Sequence, residues 1–264
     1  MGNTYIVAKK EFIDLINSKM VLIMLIWYIL TFMFSFLNLL QSFDNNPGNG
    51  ITLLSTSLVY NLCYYGSLLA IVLGFSSMSI ELDRNAINTL LVKPIYRDTI
   101  INGKLLGTLS VVFCLILLTI GLYLCYITMF INAGIIKDFI GILPLAVLLS
   151  ILCITFFFAL SMLICMKFKD QSFCLLLGFL SWIFFFYLLP NQLFSGYLSY
   201  YFNSVSLNYV ISGLSPYTIL YNILEYSSIE MAFAHHFTEI VKLALYCFTT
   251  LILTYVSFIR RDIS

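Results

Sequence analysis

Six long stretches of this sequence are almost free of charge, and they constrain the fold more than any other feature. Met20 to Phe43, Asn45 to Ile80, Leu105 to Ile136, Phe139 to Met166 and Phe173 to Leu189 contain no Asp, Glu, Lys or Arg. Ile240 to Ile259 contains only Lys242, close enough to one end for its stem to snorkel toward water. A helix crossing a bilayer needs ~20 mostly apolar residues, because its backbone polar groups must all be satisfied within the segment. The stretches predict spans over 20–40, 53–78, 105–133, 140–166, 173–189 and 240–259. Composition agrees: 61% of the residues are hydrophobic and 9% charged, against ~25% charged in an ordinary globular domain. With a net charge of +1, this excludes a disordered chain, a soluble enzyme and a nucleic-acid binder acting through a basic surface. The expected fold is an all-α polytopic membrane protein of six transmembrane helices, a single transmembrane domain over 1–264.

The few charges then give sidedness. Lys and Arg accumulate on the cytoplasmic side of span ends. Six spans put both termini and the loops 79–104 and 167–171 on one side, which holds Lys9, Lys10, Lys19, Arg84, Lys93, Arg97, Lys104, Lys167, Lys169, Arg260 and Arg261. Only Lys137 and Lys242 fall opposite, so both termini are expected in the cytoplasm of a cell-membrane protein. The charge-free run 171–224 is long enough to hide a seventh span. It is broken after Pro190 by Asn191, Ser195, Gly196, Asn203, Gly213 and Pro216. An odd count would also place Arg260 and Arg261 outside. Its tyrosines suit the membrane–water boundary, so 191–238 is expected to form short interfacial or re-entrant helices on the outer side. The apolar tract of the first span exceeds a signal-peptide core and lacks a small-residue cleavage site, so the span is expected to be retained. All seven cysteines fall in spans, where packing is their default role.

Two segments of the cytoplasmic edge are neither spans nor ordinary loops. Residues 4–19 have helical periodicity, with Tyr5, Ala8, Phe12, Leu15 and Ile16 on one face and Lys10, Asp14, Asn17 and Ser18 on the other. This pattern suits an elbow helix lying in the interface plane, with Lys9 and Lys10 meeting headgroups; a solvated leader is the plainer alternative. Residues 81–104 are too apolar for a solvated linker and too charged for a span. Glu81 and Asp83 would start a short helix, Ile87, Leu90 and Leu91 would form an apolar patch, and Pro94 would end it. Arg97 and Lys104 then bring charge back toward the membrane. Such a helix suits docking in a partner's groove, and periodicity alone fits a surface helix without a partner equally well.

The same residues carry a family resemblance. Glu81 is followed thirteen residues on by Pro94, then by Arg97 and by Gly103-Lys104 at the start of span 3. This spacing resembles the signature of ABC-2-type transporter permeases, in particular the branch typified by the membrane subunit of the nitrous-oxide-reductase maturation transporter. Ala8 to Phe12 resembles that family's elbow helix, and Leu214-Ser215-Pro216 a motif before its last span. Tyr96 is bulkier than the family's residue, and Asn85-Ala86-Ile87 stands in place of Gly-Thr-Leu. The resemblance implies a permease subunit that pairs with a second permease, as a homo- or heterodimer, and docks an ATP-binding cassette subunit. Residues Glu81, Asp83, Arg84, Asn85, Ile87, Leu90, Leu91, Pro94, Arg97 and Lys104 would make the coupling contact. ATP and Mg would be bound by that partner, with no cofactor and no catalytic residue in this chain.

Other motifs carry less. Gly103-Lys104 is no P-loop, because Asp98 stands where a glycine is required and Leu105 replaces the Ser/Thr. His235 and Glu239 would share a helix face at i, i+4, with His236 adjacent, but two or three ligands make a weak metal signal; no metal site is expected. Gly103-x3-Gly107 has the spacing for close helix approach, most simply within the subunit. No span centre carries an acidic residue, which disfavours a proton- or sodium-coupled carrier. The expected function is an ATP-driven export permease for an amphipathic, peptide or lipid-like cargo. A secondary transporter or channel acting alone, and a scaffold recruiting a cytosolic protein through 81–104, are the alternatives.

Overall fold

The computed structural model describes residues 2–45, 50–83, 97–130, 133–168, 170–202, 210–224 and 229–259. The chain first turns at Ser18, between α1 (Gly2–Asn17) and α2 (Lys19–Asn45). The Ser18 amide donates to the Leu15 carbonyl at 3.1 Å and its carbonyl accepts from Leu22 N at 3.0 Å, so the break leaves neither group bare. There follow α3 (Gly50–Tyr60), a π turn (Asn61–Tyr65), α4 (Gly66–Asp83), α5 (Arg97–Phe130) and α6 (Ala133–Lys167). Then come α7 (Gln171–Ile183), a second π turn (Phe184–Leu188), α8 (Gln192–Tyr201), α9 (Pro216–Leu224) and α10 (Ile229–Ile259). Asp170 caps α7 by accepting from Ser172 N at 3.0 Å, as a short acidic side chain does for the orphan amides of a first turn. Among the described residues there is no strand.

Among the described residues, six segments are long and apolar enough to cross a membrane: Lys19–Leu39, Leu53–Met78, Asp98–Met129, Phe139–Lys167, Gln171–Leu188 and Phe233–Ile259. These are spans 1 to 6. Spans 3 and 6 begin seven residues before the positions expected from charge alone, since a helix does not end where its apolar surface ends. With 10 and 9 residues, α8 and α9 are each only about half as long as the ~20 residues a crossing needs.

Spans 2 and 4 are mostly buried, whereas only a minor share of spans 1, 5 and 6 is. Lipid tails are as apolar as Leu, so close packing and interhelical hydrogen bonds must hold such a bundle. Gly74 of span 2 lies against the Phe158 carbonyl, where a Cβ would come within 2.8 Å. Beside it Ser161 Oγ donates to the Ile71 carbonyl at 2.9 Å. Thr254 Oγ1 of span 6 donates to the Ala159 carbonyl of span 4 at 3.0 Å. Ile23, Phe34, Phe113, Leu117, Phe248 and Ile252 point outward, the surface a lipid solvent requires.

The two π turns lie side by side. The Tyr64 ring meets Trp182 and Phe186 edge-on, with centroids 4.7 and 5.5 Å apart, and the Tyr64 and Tyr187 hydroxyls are hydrogen-bonded. Side chains also take carbonyls inside both turns. Trp182 Nε1 donates to the Tyr64 carbonyl at 3.2 Å and to Ser67 Oγ at 2.9 Å, and Ser215 Oγ donates to the Phe185 carbonyl at 2.7 Å. Ser215 also accepts from Tyr217 N at 3.2 Å and so caps α9. One hydroxyl thereby fixes the segment after α8 to span 5.

Candidate functional site

The termini end of the bundle is organised by two glycines of α5 and the lysine between them. A Cβ on Gly103 would stand 2.6 Å from Val7 Cβ, and one on Gly107 would stand 2.7 Å from the Ala8 carbonyl and 2.8 Å from Glu11 Cβ. No side chain fits at either position, and α1 packs directly on the α5 backbone. Lys104 Nζ then donates to Glu11 Oε2 at 3.0 Å and to the Ser77 carbonyl of span 2 at 2.6 Å. The lysine side chain is 4% exposed and the glutamate 12%. Two opposite charges withdrawn from water hold together only with close geometry and further hydrogen bonds. The pair joins α1, the end of span 2 and the start of span 3 in one contact.

The other expected site residues distribute around this junction. Leu15 is fully buried and Phe12 half-buried, whereas Tyr5 and Ile16 are exposed together with Ile6 and Ile13. Lys9 and Lys10 are exposed. The single apolar face read from periodicity is therefore two surfaces: a stripe of Val7, Ala8, Glu11 and Leu15 against the bundle, and an outward apolar stripe. Glu81 and Asp83 lie in the last turn of α4, and Arg97 begins α5. Arg84, Asn85, Ile87, Leu90, Leu91 and Pro94 lie outside the described residues. The Lys104 ammonium is engaged inside the chain. Its link to the ends of 84–96 runs through Ser77, four residues before Glu81.

Glu11 and Ser77 are the members of this junction that the sequence did not single out. The signal for Glu11 was present, since it shares the helical stripe of Val7, Ala8 and Leu15, and a carboxylate on a buried stripe calls for a cation. A carbonyl acceptor such as that of Ser77 has no sequence signal at all.

At the other end of the bundle, the Glu239 carboxylate meets His236, the neighbour of the His235 that the sequence placed on its face. His236 departs from helical geometry at φ −120°, ψ 24°, and its Nδ1 lies 3.1 Å from Glu239 Oε2. Asn222 Nδ2 of α9 donates to Glu239 Oε1 at 3.3 Å. The contact spans i, i+3, a spacing that places both residues on one helix face. Among the described residues no group of three or more His, Cys, Asp or Glu is placed to hold a metal ion.

The profile of the ABC-2 family transporter proteins matches residues 5–263. No curated protein matches the sequence. A match over nearly the whole length, on a chain with six apolar spans, makes this multi-pass membrane protein a member of the ABC-2 transporter family and a permease subunit of that class.

Proposed function

We propose that the chain is the membrane half of an ATP-driven exporter in the cell membrane, with both termini cytoplasmic. A second permease subunit, identical or related, would complete the pathway. A separate ATP-binding cassette subunit would hydrolyse ATP with its own Mg. The cargo class that fits the span composition is an amphipathic, peptide or lipid-like molecule moved outward. Within the family, the spacing of Glu81, Pro94, Arg97 and Gly103-Lys104 favours the branch of the nitrous-oxide-reductase maturation permease.

The observation that supports this reading best is the Glu11–Lys104–Ser77 junction. Segment 84–96 leaves α4 and returns at α5, and both flanking helices are tied to α1 by one buried lysine. A push delivered to such a segment moves three elements together instead of being absorbed by a flexible hinge, which is what rigid-body switching between two packed states requires. Lys104 then acts as a positioning residue for the coupling segment.

Gentle extraction of the tagged full-length chain from its native membranes, followed by mass spectrometry, should recover an ATPase carrying a Walker motif. In the purified complex, Glu81→Ala and Pro94→Ala should lower cargo-stimulated ATPase activity while membrane insertion is unchanged. Recovery of the chain with no ATPase across several mild detergents, or full stimulation in both variants, would overturn the coupling role.

A further inference from the structure

The end of the bundle opposite the termini holds a cavity of about 370 Å³ between spans 1, 2 and 5 and α9. That lies within the ~300–1,000 Å³ of small-molecule sites. Both π turns reach it, the first through Asn61 and Cys63, the second through Phe186. Helix α9 closes one side with Tyr217, Leu220 and Tyr221. Its polar lining is neutral: Ser35 and Asn38 from span 1, Thr56, Ser57 and Asn61 from span 2. Among the described residues, no Asp, Glu, Lys, Arg or His lines it.

Asn61 is the informative member. It is 1% exposed, and its Nδ2 donates to the Ser57 carbonyl at 2.9 Å and to Tyr123 Oη at 3.0 Å. The carbonyl can only accept, so this bond fixes which end of the amide is nitrogen. Tyr123 Oη is held in turn by Ser57 Oγ at 2.7 Å. The remaining atom, Asn61 Oδ1, has no hydrogen-bond partner among the described residues. A buried acceptor left unmatched is costly, and more so in a medium as apolar as a bilayer. The network thus spends both amide donors inside the protein and leaves one buried acceptor unmatched on a residue that lines the cavity.

We infer that this cavity binds an uncharged amphiphile that carries a hydroxyl or amide N–H and donates it to Asn61 Oδ1. Leu39, Leu53, Val59 and Leu220 receive its apolar part, and Tyr60 and Tyr217 flank the polar end. A charged headgroup is disfavoured because no described lining residue compensates a buried charge. Binding does not depend on the permease reading; naming the bound molecule as cargo does.

The test uses the full chain in membrane vesicles without nucleotide, and a diazirine-bearing monoacylglycerol as the probe. Its dimethyl ether, which lacks donors, is the control. Photolabelling should concentrate on peptides covering 53–63 and 217–221, and be at least fivefold stronger for the diol than for the ether. Asn61→Leu should reduce diol labelling to the level of the ether. Leu220→Phe, which fills the cavity without touching the Asn61 network, should reduce labelling by both probes in a chain that folds normally. Equal labelling by diol and ether, labelling spread over the lipid-facing Phe113 and Leu117, or full labelling in Leu220→Phe would each overturn the site. Release of bound diol on ATP addition, with the ATPase subunit present, is scored separately. Binding without release removes the cargo assignment and leaves the site standing.

Discussion

The two ends of span 2 solve the burial of polar groups in opposite ways. At Ser77 a backbone carbonyl receives a full positive charge from Lys104, itself neutralised by Glu11. At Asn61 every group is neutral, and Ser57, Tyr123 and the amide share hydrogen bonds. An ion pair in a poorly hydrated place is stable only as a pair, because losing either member leaves an uncompensated charge. Neutral networks fail gradually, one hydrogen bond at a time. The ionic end therefore behaves as a latch that holds or fails, and the neutral end as a surface with room to accept another molecule.

The largest expected effect tests the latch. Lys104→Met should destabilise the folded chain by about 3–5 kcal/mol, the usual result of stranding one charge of a buried pair. Thermal unfolding followed by tryptophan fluorescence in detergent reads this directly. Combining it with Glu11→Leu should recover most of the loss; a double variant as unstable as the sum of the singles would dissolve the contrast between the two ends. Next comes the glycine contact. Gly107→Leu should cost about 1–3 kcal/mol by overpacking against Ala8 and Glu11, whereas Gly121→Leu, with nothing within 4 Å of its Cβ position, should be nearly neutral. Similar unfolding temperatures for the two would mean that α1 does not press on α5.

Smaller effects belong to the neutral end. Ser215→Ala removes the bond to the Phe185 carbonyl and the cap of α9 together, for an expected loss of about 1–2 kcal/mol. It should also raise the reactivity of a cysteine placed at Tyr217 toward maleimide, since α9 loses its tie to span 5. Thr254→Val, which deletes one hydrogen bond between spans 4 and 6, should cost about 0.6 kcal/mol, the average for such bonds in lipid. A Thr254→Val loss as large as that of Lys104→Met would remove the distinction between latch and network.

Much of this was legible in the residues. Six spans followed from charge-free length because the bilayer imposes that length on any helix crossing it. The spacing of Gly103 and Gly107 announced a close approach, and the structure supplies α1 as the partner. What stayed hidden depends on geometry that side-chain types do not encode. The π turns change helical phase by one residue, and Asn61-Leu62-Cys63-Tyr64-Tyr65 contains no Pro or Gly to mark the place. The two-sided use of α1 escaped a periodicity reading because Ile16 is as apolar as Leu15 and only their neighbours differ. The non-helical backbone at His236, whose Nδ1 meets Glu239, carries no signal in the residue types either.

The first π turn also sets a mechanical relation between the two ends. Successive residues of an α-helix are about 100° apart around the axis, and a π turn inserts one residue into that count. Span 2 is thus a shaft with a phase offset cut into it: Asn61 faces its cavity and the Ser77 carbonyl faces Lys104 only while the extra residue stays between them. Deleting a single residue from Asn61–Tyr65 would rewind the shaft by about 100° and turn one of the two contacts away from its mate. If the residue lost is one of Leu62 to Tyr65, Asn61 and Ser77 both remain, yet the two ends could no longer be engaged at once. Span 2 should therefore tolerate many changes of letter in this stretch and no change of length.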